Sequence, residues 1–384
     1  MKSDAPINVL HLCAGNMYGG VERLLVTLAR ERGQCAGMRP TFAACFEGRL
    51  TTELRETGVD VAVLGAVKAS RPWTGWAARR RLRKLIDARG CDVVVAHACW
   101  PLVMLGGAAR AAGKPVAMWA HDILKNDNWI ETKAAKMPPD LVLANSRATA
   151  DSVKRVLPTA AARWEYLPVA PADVGDRAAV RSAIRTELGT SDDKVVIVCA
   201  SRLERWKGHA VLVDALAQLK ADARWECWIA GGAQRPEEEA YLAELKHAAE
   251  RGGVGGRVKF LGQRTDVARV LAAADVHCQP NTGAEPFGIA FVEAMYAGLP
   301  VVTSGIGGAL ELVNNSCGVL VTPNAADELA GELTKLIGDA GRRAALGAGG
   351  VRRATELCEP GRVMGRIADM LAGLARGESK GVAA

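Results

Sequence analysis

At 384 residues the chain is longer than one ordinary hydrophobic core encloses, and it calls for two domains. Its 49% hydrophobic and 24% charged content suits a soluble globular protein; no run nears the roughly 20 apolar residues of a membrane span, and the apolar start is too short for a secretory signal. The net charge of +7 lies entirely in residues 1–176, with 24 Lys and Arg against 17 Asp and Glu, while the remainder holds 25 of each.

Short apolar runs alternate with amphipathic helical patterns along the chain. Strands are predicted at 7–13, 40–46, 60–65, 91–98, 114–121, 140–146 and 164–169, with helical stretches such as 21–33 and 147–157 between most of them. Residues 168–176, PVAPADVGD, carry no periodicity and read as a linker. The alternation restarts with predicted strands at 194–201, 225–232, 257–262, 276–280, 300–305 and 318–321. Continuous Val, Ile, Leu and Ala runs separated by helices imply parallel sheets covered on both faces. The expected fold is α/β, two Rossmann-like parallel-sheet domains with an interdomain cleft and ligands at the strand carboxyl ends. Ten cysteines show no C-x-x-C pairing, and Cys13, Cys199 and Cys278 sit inside apolar runs. This points to reduced thiols in a cytoplasmic setting.

Several loops at predicted strand ends carry candidate chemistry. Gly15, Gly19 and Gly20 follow the first strand and lead into a helix, where glycines admit a close ligand and the helix mouth favours an anion. A plain strand-to-helix turn explains them too, and G-x-G-x-x-G is missing, which disfavours a dinucleotide. Arg202 and Lys207 stand five positions apart on the loop after the strand 194–201. Glu285 precedes Pro286, and Glu293 lies eight positions on, inside a helix expected to open near Phe287 or Gly288. The residues between these glutamates are mostly apolar, so the carboxylates are aimed somewhere specific or costly to bury. Gly307 and Gly308 repeat the strand, glycine loop and helix theme and offer amides to a phosphate. No D-x-D occurs to hold a divalent ion, and no zinc spacing or aromatic-basic motif favours metal or nucleic acid.

The ordered set GGVE (19–22), WAHD (119–122), SRLERWKG (201–208), WIAGG (228–232), EPFGIAFVEAMYAGLPVV (285–302) and GGALELV (307–313) resembles the retaining glycosyltransferases of family four, with the GT-B fold. The resemblance covers nearly the whole chain. It departs at Ser201, where the family usually has glycine, and at NNSCG (314–318), where an acidic-glycine turn is usual. It implies an N-terminal acceptor domain over 1–170, a nucleotide-sugar domain over 171–358, and a C-terminal helix and tail over 359–384 packing back toward the first domain. It further implies that Arg202 and Lys207 hold the diphosphate of a nucleotide sugar and that Glu293 accepts the ribose hydroxyls. Glu285, Gly19 and Gly20 would then lie near the donor, with the amides of Phe287, Gly288 and Ile289 around its sugar. His121, ending the fifth strand, would stand close to the site of attack. His97 and Asp122 are acceptor-side candidates, His97 being equally well explained as a structural histidine.

The implied activity is metal-independent, retaining hexosyl transfer with no cofactor, from a UDP-sugar or, second, GDP-mannose, to a glycan or lipid-linked saccharide. A sugar-nucleotide epimerase of the same fold, a phosphorylase or a non-catalytic nucleotide-sugar-binding protein are the rivals. Residues 70–90 place Trp73 and Trp76 ahead of Arg79, Arg80, Arg81, Arg83, Lys84 and Arg89. One reading is a sheet-covering helix buried through Leu82, Leu85 and Ile86. The other is a contact with an anionic membrane surface, which would explain the one-sided charge.

Overall fold

The computed structural model describes residues 5–68 and 70–378, and the chain divides into two compact units. The first comprises the residues up to Ala170 together with those from Cys358 onward. Its sheet holds β1 (Ile7–Cys13), β2 (Met38–Ala44), β3 (Val61–Val63), β4 (Val93–His97), β5 (Val116–Ala120), β6 (Leu141–Ala144) and β7 (Ala162–Trp164). All neighbours are parallel in the order β3-β2-β1-β4-β5-β6-β7. The chain winds outward in both directions from β1 and β4, so the loops at their carboxyl ends diverge and leave an opening.

The second unit, Pro171–Leu357, is a six-stranded parallel sheet. Its strands are β8 (Val195–Ala200), β9 (Trp225–Ala230), β10 (Val258–Gly262), β11 (Val276–Gln279), β12 (Val301–Ser304) and β13 (Gly318–Val321), in the order β10-β9-β8-β11-β12-β13. The order reverses between β8 and β11. Central strands are covered on both faces: every residue of β8 is buried, and Trp225 and Trp228 of β9 are wholly enclosed. This is why these segments read as unbroken apolar runs.

The predicted strand at 164–169 is corrected. Pairing ends with the Glu165 N–H on Ala144 O at 3.0 Å, and Pro168, lacking an N–H, cannot extend the ladder. Strand β2 starts two residues earlier than predicted and runs through Pro40; β3 pairs only with Phe42–Ala44, so Pro40 lies where that side of β2 is open. Residues 168–176 form no helix or strand, and Asp176 then caps the helix Arg177–Glu187 through the amides of Ala178 and Ala179. The helix Pro360–Ala375, capped by Glu359, belongs to the first unit, where Arg366 forms an ion pair with Glu165.

The segment after Arg71 forms one helix, Pro72–Arg89, buried through Ala78, Leu82 and Ile86. All ten cysteines are free and buried. No helix among the described residues is long and apolar enough to cross a membrane.

Five of the six histidines are buried. Desolvation lowers His11, His121 and His277 from 6.5 to about 3 and His209 to about 4, and His97 falls well below its ordinary value. Between the folded and unfolded values the unfolded chain binds more protons, so stability rises with pH in that window. The protein is expected to hold full stability above pH 6.5 and lose it as the pH falls toward 4. Each histidine contributes up to about 1.4 kcal/mol per pH unit. Thermal unfolding from pH 7.5 to 5 checks this; a flat midpoint across that range contradicts neutral burial.

Candidate active site

In the second unit three loops at strand carboxyl ends converge on one carboxylate. The loop after β8 runs to Gly208, whose φ is +77°, and a Cβ there would lie 1.8 Å from Pro280 O. Only glycine lets this loop lie against the loop after β11. The Thr282 N–H donates to Trp206 O at 2.8 Å across the same contact. Lys207 therefore ends beside Glu285: its Nζ donates to Oε2 at 2.8 Å and lies 3.9 Å from the centre of the Trp206 ring. The same oxygen accepts from Asn281 Nδ2 at 2.9 Å and Gln279 Nε2 at 3.2 Å. Glu285 is 6% exposed, and these partners replace the water that its burial removes. Arg202, on the same loop as Lys207, is partly exposed and pairs with Glu204 at 3.1 Å.

The third loop, after β12, is locked on by backbone. Glu285 and Gly307 form a parallel bridge, and the Gly308 N–H donates to Glu285 O at 2.7 Å. A Cβ on Gly307, φ +67°, would lie 2.4 Å from that carbonyl. The expected offer of a Gly308 amide to a phosphate is thus corrected: that amide is engaged, and these glycines serve close packing. The helix after Glu285 runs Ile289–Tyr296, one or two residues later than the expected opening at Phe287 or Gly288, because Gly288 at φ +107° forms its entry. The first amides of that helix have no acceptor within it. Phe287 is buried beneath, Ile289 and Glu293 are half-buried, and Glu293 lies in the helix's second turn.

In the first unit His121 follows β5 directly and is 7% exposed. Its Nε2 lies 3.0 Å from His97 Nδ1, and His97 Nε2 lies 2.9 Å from His11 Nδ1. His97 thus has both ring nitrogens engaged and is 3% exposed, so the acceptor-side expectation is corrected: it backs His121 and has no nitrogen for a ligand. Asp122 is exposed. Gly19 precedes the helix Gly20–Arg30, and its N–H donates to Glu22 Oε2 at 2.8 Å. That helix mouth carries its own carboxylate, so an anion reaching Gly19 must displace it.

Three residues escaped the sequence reading. Gln279 and Asn281 are polar positions closing the apolar run of β11, a visible signal of a buried partner nearby. His11 sits mid-strand in β1, and only the strand order reveals its neighbours.

Residues 180–353 match the family model described as "Glycosyl transferases group 1", and residues 18–169 match "Glycosyltransferase Family 4". A GDP-mannose-dependent alpha-(1-6)-phosphatidylinositol monomannoside mannosyltransferase of Mycobacterium tuberculosis is 30% identical over 319 residues, covering 76% of this chain and 79% of that protein. Among solved structures, Anabaena HepE in complex with UDP-glucose superimposes with a TM-score of 0.83 at 27% identity, covering 96% of this chain and all of that one. WaaG, a glycosyltransferase involved in lipopolysaccharide biosynthesis, shares the fold at a TM-score of 0.70 and 18% identity, over 96% of this chain and 99% of its own. With matches running through both sheets, the chain belongs to glycosyltransferase family 4 and is a glycosyltransferase of the GT-B type.

Proposed function

We propose that this enzyme moves a hexose from a nucleoside diphosphate sugar to a hydroxyl of a saccharide or lipid-linked acceptor, with retention and without a metal ion. The observation that carries the reading is the Lys207–Glu285 pair, built where the loops after β8 and β11 meet, with Arg202 on the same loop as Lys207 and paired with Glu204. Lys207 and Arg202 neutralise the diphosphate as the bond from the anomeric carbon to the phosphate oxygen breaks, so they act most strongly on the transition state. The acceptor oxygen attacks from the face the leaving group departs, and a leaving phosphate oxygen takes the acceptor's proton. Glu293 accepts from the ribose hydroxyls, and Glu285 with the amides of Phe287, Gly288 and Ile289 holds the sugar. His121, at the carboxyl end of β5, is the first unit's candidate group for the reacting sugar.

The donor is a UDP-hexose, in keeping with the UDP-glucose held by the Anabaena relative. GDP-mannose is the second reading, favoured by the mycobacterial mannosyltransferase. Release of nucleoside diphosphate from each donor, with acceptor and EDTA present, decides between them. Turnover with one donor only, unaffected by EDTA, is the expected outcome; loss of turnover in EDTA contradicts metal independence.

The buried pairing shapes the variants. Arg202→Ala is expected to cut turnover by roughly 10²–10³-fold with an unchanged melting temperature. Lys207→Met should cut turnover similarly and also lower the melting temperature, because Glu285 is left enclosed with an unbalanced charge. Adding Glu285→Gln to Lys207→Met should recover the melting temperature and leave turnover low. Near-normal kinetics in Arg202→Ala and Lys207→Met would put the diphosphate elsewhere.

Peripheral docking on an anionic membrane is part of the same proposal. Trp73 and Trp76 are 66% and 61% exposed on the helix Pro72–Arg89, and Arg80, Arg83 and Lys84 are exposed on it. Arg79 and Arg81 already donate to Met104 O and Leu64 O, so they stay out of the test. Binding to anionic vesicles that weakens with salt, and falls in Trp73→Ala/Trp76→Ala and in Arg80→Gln/Arg83→Gln, is the expected result. Equal binding to neutral and anionic vesicles, or none to either, returns this segment to a sheet-covering helix.

A further inference from the structure

His11, His97 and His121 occupy one face of the first sheet and climb it in equal steps. His11 of β1 stands opposite Val95, two residues before His97 on β4. His97 stands opposite Trp119 on β5, two residues before His121. Alternate residues share a sheet face, so each step moves one strand over and one same-face position toward the carboxyl edge. The line begins inside the sheet and ends where loops take over. We infer that it is a one-way hydrogen-bond line that fixes His121 as its Nδ1–H tautomer, so that the sheet edge presents a donor, with His97 and His11 as the positioning residues. The inference rests on the reading of His121 as the group that meets the reacting sugar, but the tautomer itself is measured without turnover.

The direction follows from counting donors. Burial keeps all three imidazoles neutral, and protonating His97 is opposed further by His11 and His121. A neutral imidazole has one N–H and one lone pair, so two linked contacts must run the same way. In one direction His11 Nδ1–H donates to His97 Nε2 and His97 Nδ1–H donates to His121 Nε2. His121 then carries its proton on Nδ1, and the line ends inside on the lone pair of His11 Nε2. In the other direction His121 Nε2–H donates inward and the line ends on an N–H at His11 Nε2.

That last atom decides between them, because His11 Nε2 is buried with no hydrogen-bond partner. An orphaned buried N–H is rarer than an under-used acceptor. The nearby Phe42 ring gives no relief: it stacks on His11 at 21° between planes, so an in-plane N–H does not point at its face. The aromatic neighbours instead hold the ring planes, with His97 and His121 6° from parallel and Trp119 stacked on both.

The chemical consequence concerns what His121 does. A histidine backed by a carboxylate is oriented to accept a proton at its outer nitrogen. Here the backing group donates into Nε2, so the outer nitrogen has no lone pair to offer. His121 binds a hydroxyl or phosphate oxygen of the substrate and does not act as a general base.

The test is long-range proton–nitrogen correlation on the full chain labelled with 15N-histidine at pH 7.5, with resonances assigned by single substitution of each histidine. The expected pattern is neutral rings carrying Nδ1–H at His11, His97 and His121. An Nε2–H at His121 overturns the inference. Two variants test the positioning role. His11→Leu removes the donor into His97 and is expected to give a mixed tautomer at His121 and roughly tenfold lower kcat at unchanged donor KM. His11→Asn keeps an N–H donor near the Nδ1 position and is expected to restore both. If His11→Leu fails to fold, the wild-type spectrum still decides the tautomer, and His11→Asn then carries the role, its loss of the Nδ1–H signature at His121 overturning it. An unchanged kcat in a folded His11→Leu overturns the positioning role, and absence of sugar transfer by the wild type leaves the tautomer readout standing while removing the proposed function.

Discussion

A carboxyl group in the second unit has to be paired because it is almost wholly enclosed, and much of the local architecture answers that requirement. Glu285 draws Lys207 from the loop after β8, Gln279 and Asn281 from the end of β11, and through its own backbone Gly307 and Gly308 from the loop after β12. Three loops that leave different strands are thereby tied into one object. Bare removal of one partner from such a pair costs about 3–5 kcal/mol, a large share of a domain's stability. Under the proposed function, a diphosphate would compete with Glu285 for Lys207 and meet Arg202 on the same loop.

The first unit solves a different problem. Its sheet is enclosed on both faces, so polar groups inside it must satisfy each other. Three histidines do so in a line, at the cost of being neutral and of leaving one terminal nitrogen without a partner. Neutrality is what lets the line stay enclosed without a counter-ion.

Much of this was legible in the sequence, for a physical reason. Parallel strands buried on both faces are continuous apolar runs, and β1 and β13 were bounded to the residue from that pattern alone. Arg202, Lys207 and Glu285 were visible because they sit in loops flanked by such runs, and Glu293 because it interrupts an apolar helix. The glycines were visible, but their amides were not free of partners. Gly308 looks like a donor to phosphate, yet its amide belongs to Glu285, and Gly19 gives its amide to Glu22. A glycine required for close backbone approach and one required for a ligand look the same in sequence. His11 was invisible as a partner of His97, since 86 residues separate them and only the strand order β1-β4-β5 brings them together.

The proposed function requires the second unit to bind a diphosphate through Lys207 and Arg202. Calorimetric titration of UDP, UMP, GDP and GMP into the full chain tests it most directly. One base is expected to be preferred, with its diphosphate binding at least roughly tenfold more tightly than its monophosphate, about 1.4 kcal/mol for the added phosphate. Equal affinity for the diphosphate and the monophosphate of the preferred base would contradict it.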